Sequence, residues 1–119
     1  MSMIAMALPI PAEKYSIWRE TVLSFSGARS AEYDASRRRL GVVRQGVWVQ
    51  QTPQGPMEVL VIEAIDPAAF FEGLATSQEP FDVEFRAFLL DVYEIDLTEP
   101  PPLPEQVLGW PAAPTSAVT

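Results

Sequence analysis

The chain of 119 residues carries 8 Lys and Arg against 16 Asp and Glu, for a net charge of −8, and contains neither Cys nor His. The missing thiol excludes disulfides, thiolate nucleophiles and Cys-ligated metal or iron–sulfur centres, and the missing imidazole excludes a Ser–His–Asp triad and His-ligated haem or zinc. Hydrophobic residues make up 48% of the chain, including three Trp and six Phe, so a single domain with a real core is expected.

Residues 2–8 read as a strand, apolar on both faces and broken by Pro9 and Pro11. The segment has no basic leader region, and no run approaches the roughly 18 apolar residues of a membrane span, so a cytoplasmic protein is expected. Residues 12–25 read as a helix, with Tyr15, Trp18, Val22 and Phe25 on one face and Gly27 after its end. Residues 30–40 read as a second helical piece. Ser30 suits the N-cap, Glu32 and Asp34 sit early, Arg37, Arg38 and Arg39 sit late as the helix dipole favours, and Gly41 ends it.

Residues 42–52 and 57–65 read as a hairpin rich in Val, Ile and Leu, turned by Thr52-Pro53-Gln54-Gly55. Asp66-Pro67 starts a helix over 67–76 with Phe70, Phe71 and Leu74 inward. Pro80 starts another to about Glu94, where Phe81, Phe85, Phe88, Leu89 and Val92 form a core stripe. A short strand is possible at 94–98. Six of the twelve prolines follow residue 98. Residues 100–104 should be extended polyproline II, anchored on the body or on a partner subunit by Leu103, Val107, Leu108 and Trp110, with 111–119 disordered.

This order predicts an α+β fold of ferredoxin-like βαββαβ type with extra helical pieces: one domain over 1–98 and a Pro-rich arm over 99–119. Within the hairpin, Val43, Val47 and Val49 should point one way and Val42 and Trp48 the other. Helices cover only one face of such a sheet, so the other face calls for a second copy, and a homodimer is expected. The charge is uneven. Residues 1–60 hold seven bases and five acids, while 61–119 hold eleven acids and the single base Arg86. An acidic chain of this kind repels nucleic acid and anionic lipid, so neither is an expected partner.

The stretches Tyr33-Asp34-Ala35-Ser36-Arg37-Arg38-Arg39-Leu40-Gly41, Val47-Trp48-Val49-Gln50-Gln51-Thr52-Pro53-Gln54-Gly55 and Pro80-Phe81-Asp82-Val83-Glu84-Phe85 resemble a bacterial family of uncharacterised small proteins in the dimeric α+β barrel superfamily. The resemblance covers roughly residues 9–110. It implies a homodimeric barrel. The superfamily includes cofactor-free monooxygenases, polyketide cyclases, lactone isomerases and haem-degrading enzymes, so fold alone does not choose a chemistry. The chain departs from the family pattern at Glu84, where an aromatic residue is expected, and near Tyr93, where a His is expected. With no His as an axial ligand, the haem branch is unattractive.

Glu63 is the acid the sequence singles out, because it stands inside Val59-Leu60-Val61-Ile62-Glu63-Ala64-Ile65, where a carboxylate needs a partner. A loop centred on Gln54-Gly55 places Glu63 opposite Gly46, with Arg44 and Trp48 diagonal and Gln50 further along the same face. One reading is a pocket in which Glu63 is a general base, Arg44 stabilises an anion, and Trp48 and Gln50 contact the substrate. The competing reading is a structural Glu63–Arg44 ion pair. Arg37, Arg38 and Arg39 lie about 100° apart on a helix, so they cannot converge, although one of them can turn inward beside Tyr33. Arg38 should pair with Asp34, and Arg86 with Asp82. Tyr33 and Tyr93 are candidate proton donors and Arg37 a candidate ligand contact. Asp91, Glu94 and Asp96 match no calcium loop. No cofactor is implied. The expected function is a homodimer that binds a small organic molecule, with any catalysis a cofactor-free isomerisation, cyclisation or oxygenation. The alternatives are a non-catalytic binding or accessory protein, and transient docking of a partner through the Pro-rich arm.

Overall fold

The computed structural model describes residues 2–100 and 102–111. They form an α+β structure in chain order β1 (Ser2–Pro9), a 3-10 turn (Ala12–Lys14), α1 (Tyr15–Ser24), α2 (Ser30–Arg39), β2 (Val42–Thr52), β3 (Gly55–Ala64), α3 (Pro67–Thr76) and α4 (Pro80–Tyr93). The three strands make one antiparallel sheet in the order β1-β3-β2, so β3 is central.

Local chemistry explains most boundaries. Gly41, at φ +79°, takes the left-handed turn that stops α2. In the hairpin, Thr52 pairs with Gly55 across the two-residue loop Pro53-Gln54. The Thr52 hydroxyl accepts from the Gln54 N–H at 3.1 Å and donates to the Gly55 carbonyl at 2.8 Å. Asp66 caps α3, its Oδ1 accepting from the backbone of Ala68 and Ala69, with Pro67 at the first helical position.

Three expectations are corrected. Residues 94–98 form a turn rather than a strand: Glu94 adopts the left-handed conformation at φ 57°, and Asp96 Oδ1 accepts from both the backbone and the hydroxyl of Thr98. The hairpin loop sits one residue earlier than expected, so Glu63 lies opposite Arg44, and Gly46 lies opposite Val61. The register also slips between Val42 and Arg44. That bulge at Val43 turns Val42 back to the helix side with Val47 and Val49, and leaves Val43 exposed.

The helices pack on one face of the sheet in two clusters. Ile62 and Ala64 of β3 meet Phe70 and Leu74 of α3. Ile10, Trp18 of α1 and Val92 of α4 form the second, against Val47 and Val49. Burying each large side chain contributes about 2 kcal/mol. Neither cluster uses the opposite face, where Met3 and Trp48 are 56% and 58% exposed. In the C-terminal segment, Val107, Leu108 and Trp110 are exposed rather than anchored on the body of the chain. Residues 112–119, within the stretch expected to be disordered, lie outside the described residues. Among the described residues no helix is long and apolar enough to cross a membrane.

Candidate functional site

Between the inner sheet face and the helices lies a cavity of about 540 Å³, within the range that holds small organic ligands. Its apolar wall comes from Met6 and Leu8 of β1, Leu60 and Ile62 of β3, Phe70 and Leu74 of α3, and Phe85, Phe88 and Leu89 of α4. Pro100 and Leu103 of the C-terminal segment also line it. Tyr33, Arg37, Gln45, Glu58 and Tyr93 interrupt this apolar wall, and they fall into two groups.

Arg37 belongs to the late-helix arginine cluster of α2, yet it is only 6% exposed. Its guanidinium carbon lies 4.5 Å from the Tyr33 ring centre and 4.4 Å from that of Phe85. This sandwich stabilises a cation in an apolar setting. One terminal nitrogen donates to the Ser36 hydroxyl at 3.0 Å. Its Nε is buried without a hydrogen-bond partner, and so is the Oε1 of Gln45. No ion pair among the described residues involves Arg37. A second cavity of about 390 Å³ shares Phe25, Tyr33, Arg37 and Gln45 with the first and continues to Arg38 and Arg44. Arg37 and Gln45 thus stand between an apolar chamber and a basic outer one.

The second group centres on Glu58, which is 5% exposed. Its Oε1 accepts the Trp18 indole N–H at 3.1 Å and the Tyr93 hydroxyl. The indole N–H also reaches Tyr93 Oη at 2.6 Å. Burial pushes the Glu58 carboxyl above its ordinary value, although the two donors oppose the shift. Burial likewise raises Tyr93, and the neighbouring Glu58 charge adds to the effect. Glu58 thus places a carboxyl with a raised pKa on the wall of an apolar chamber.

Of the residues expected from sequence, Arg37, Tyr33 and Tyr93 come together on the large cavity. Glu63, Arg44, Trp48 and Gln50 share one face, as expected, but it is the outer face of the sheet. Arg44 and Glu63 pair there at 3.2 Å, with the Arg44 side chain 74% exposed. The niche expected beside Gly46 is filled by the Trp48 ring, which would lie 2.6 Å from a Cβ at that position. Arg38 pairs with Asp34 at 2.9 Å, as expected. The Asp82–Arg86 pair does not form. Arg86 instead donates to the carbonyls of Leu74 and Ser77, and Asp82 accepts from Ser36, Ser77 and Arg39.

Glu58, Gln45 and Asp82 escape the sequence reading as site residues. Strand parity holds a signal for Glu58, which alternates with Leu60, Ile62 and Ala64, the inward side of β3. The same signal holds for Gln45, which shares the parity of Val47 and Val49 on the inward side of β2. No family model, curated protein or solved structure matches the chain. The functional reading therefore rests on the cavity.

Proposed function

We propose that the chain is a small-molecule-binding protein of the dimeric α+β barrel kind, and that its ligand is an apolar molecule with an anionic head seated in the large cavity. The observation that carries this reading is Arg37: a buried guanidinium on an apolar cavity wall, stacked by aromatic rings and free of any carboxylate among the described residues. Burying such a charge is costly without a counter-ion. A carboxylate, sulfonate or enolate offers the planar, hydrogen-bonding partner that a guanidinium favours. A second copy packed on the open sheet face completes the homodimer in this reading, with Trp48 and Met3 at the contact.

A second reading, cofactor-free proton transfer of the isomerase, cyclase or monooxygenase type, draws support from Glu58, whose burial raises its pKa on the cavity wall. In that case Glu58 replaces Glu63 as the base.

Calorimetric titration with 2-naphthoate and with neutral 2-naphthylmethanol tests the binding reading. The wild type should prefer the carboxylate by about tenfold or more, the worth of one charge-assisted contact. Arg37→Met, which keeps the apolar volume, should erase that preference. Equal affinity of the wild type for the two probes, or failure to bind either, overturns the proposal.

A further inference from the structure

We infer that the cavity is built for a two-headed ligand, an acid whose far end carries a hydroxyl, enol or phenol hydrogen received by Glu58. The inference rests on the cavity being the ligand site and names the class of molecule it takes.

The two polar groups lie at separate places on the cavity wall. Gln45, which shares both cavities with Arg37, is paired across the sheet with Ile62, whereas Glu58 is paired with Val49. Ile62 and Glu58 are four residues apart on β3, about 13 Å at the usual strand rise, so Gln45 and Glu58 stand at different levels along the sheet. Met6, Leu60 and Phe88 line the same cavity and are apolar, so the body of the ligand is hydrocarbon or aromatic.

Glu58 is unevenly satisfied. Its Oε1 takes two donors, the Trp18 N–H and the Tyr93 O–H. Its Oε2 accepts no hydrogen bond among the described residues, and Glu58 lines the cavity. Tyr93 has committed its one hydrogen to Oε1, and the Trp18 N–H lies between Tyr93 and Glu58. This arrangement orients the carboxyl and leaves one acceptor free. Oε2 is not among the buried atoms that lack a partner, so it stays open to receive a hydrogen, and a donor is its complementary partner. The Arg37 pole is the converse: an unpartnered N–H donor on a cation, which calls for an anion. A single fatty acid or aryl acid without a second polar group would satisfy only one of the two.

The test compares three probes by calorimetry on the full chain: decanoate, 10-hydroxydecanoate and 10-methoxydecanoate. The methyl ether keeps the oxygen but has no hydrogen to give. Wild type should bind the hydroxy acid about tenfold or more tighter than the ether, as one hydrogen bond to a carboxylate warrants. In Glu58→Gln the cavity-side group is an amide that can itself donate, so the gap between hydroxy acid and ether should close. Should that variant fail to fold by circular dichroism, the wild-type probe series decides alone. Equal wild-type affinities for the hydroxy acid and the ether, with decanoate still bound, overturn the role of Glu58 and leave the anion site standing. Failure of all three probes to bind overturns both.

Discussion

The Ser36 hydroxyl donates to Asp82 Oδ1 at 2.5 Å, and neither side chain is reached by solvent. The contact pins α2 to α4. Asp82 Oδ2 accepts from Arg39 at 2.7 Å and from the Ser77 hydroxyl at 2.6 Å, which ties in the loop after α3. Ser36 Oγ also accepts from Arg37. One buried carboxylate therefore fixes three segments and, through Ser36, orients the guanidinium at the cavity.

Asp82→Ala should cost about 3 kcal/mol, because it leaves Ser36 and Ser77 hydroxyls without an acceptor and removes the nearer of the two acid partners of Arg39. Denaturant unfolding measures this directly. A cost below about 1 kcal/mol would mean that the pin contributes no more than an ordinary surface contact.

The two buried carboxyls should respond to pH with opposite signs. Burial pushes Asp82 up, but the bonds from Ser36, Ser77 and Arg39 outweigh it and hold the carboxyl below its ordinary 3.8. The folded state thus binds fewer protons there, and the stability Asp82 adds is present above 3.8 and lost as pH falls through its depressed value. Glu58 is raised above its ordinary 4.5 by burial. The folded state binds more protons there, so its contribution is full below 4.5 and lost as pH rises through the raised value. Denaturant melts of wild type, Asp82→Asn and Glu58→Gln across this range should therefore diverge in opposite directions. The Asp82→Asn penalty shrinks in acid, and Glu58→Gln gains on the wild type as pH rises. Parallel pH profiles for the two variants would contradict the assignment.

Asp66→Ala should cost about 1 kcal/mol, since Oδ1 satisfies two backbone N–H groups at the start of α3. Thermal unfolding reads the loss, and Asp66→Asn, which keeps an oxygen in place, should recover most of it. No difference between the two variants would show that the cap adds nothing to α3.

Elements whose boundaries are set by local chemistry were readable in sequence. Asp66-Pro67 begins α3, Gly41 ends α2, and the aromatic stripe of α4 faces the core, each set by residues of its own stretch of chain. What sequence hides is set between distant residues. The one-residue shift of the hairpin loop preserves face parity, so Glu63, Arg44, Trp48 and Gln50 keep a common face while their partners change. Which face the helices cover is a tertiary choice. It leaves Glu63 at the outer surface and Glu58, in the same strand, on the cavity. Arg37 looks like one cation in a solvated helix end until Tyr33 and Phe85, from two helices, close on its two sides. Asp82 looks like a partner of Arg86 until Ser36, 46 positions earlier, meets it.

The open sheet face yields the last expectation. Trp48 lies over Gly46 with more than half its surface exposed, beside Val59 of β3, and the Arg44–Glu63 pair stands on the same face. Exposed aromatic surface on a strand of this kind marks a contact region. In the proposed homodimer Trp48 is buried by the second copy, whereas within one protomer it contributes little to folding. Trp48→Asp should therefore leave the unfolding free energy of the separated protomer nearly unchanged while abolishing the dimer, because an unpaired carboxylate in an apolar interface is strongly disfavoured. Sedimentation velocity at several concentrations separates the cases, since a dimer's population depends on concentration. A monomeric wild type would overturn the homodimer, and a dimer that survives Trp48→Asp would move the subunit contact away from this face.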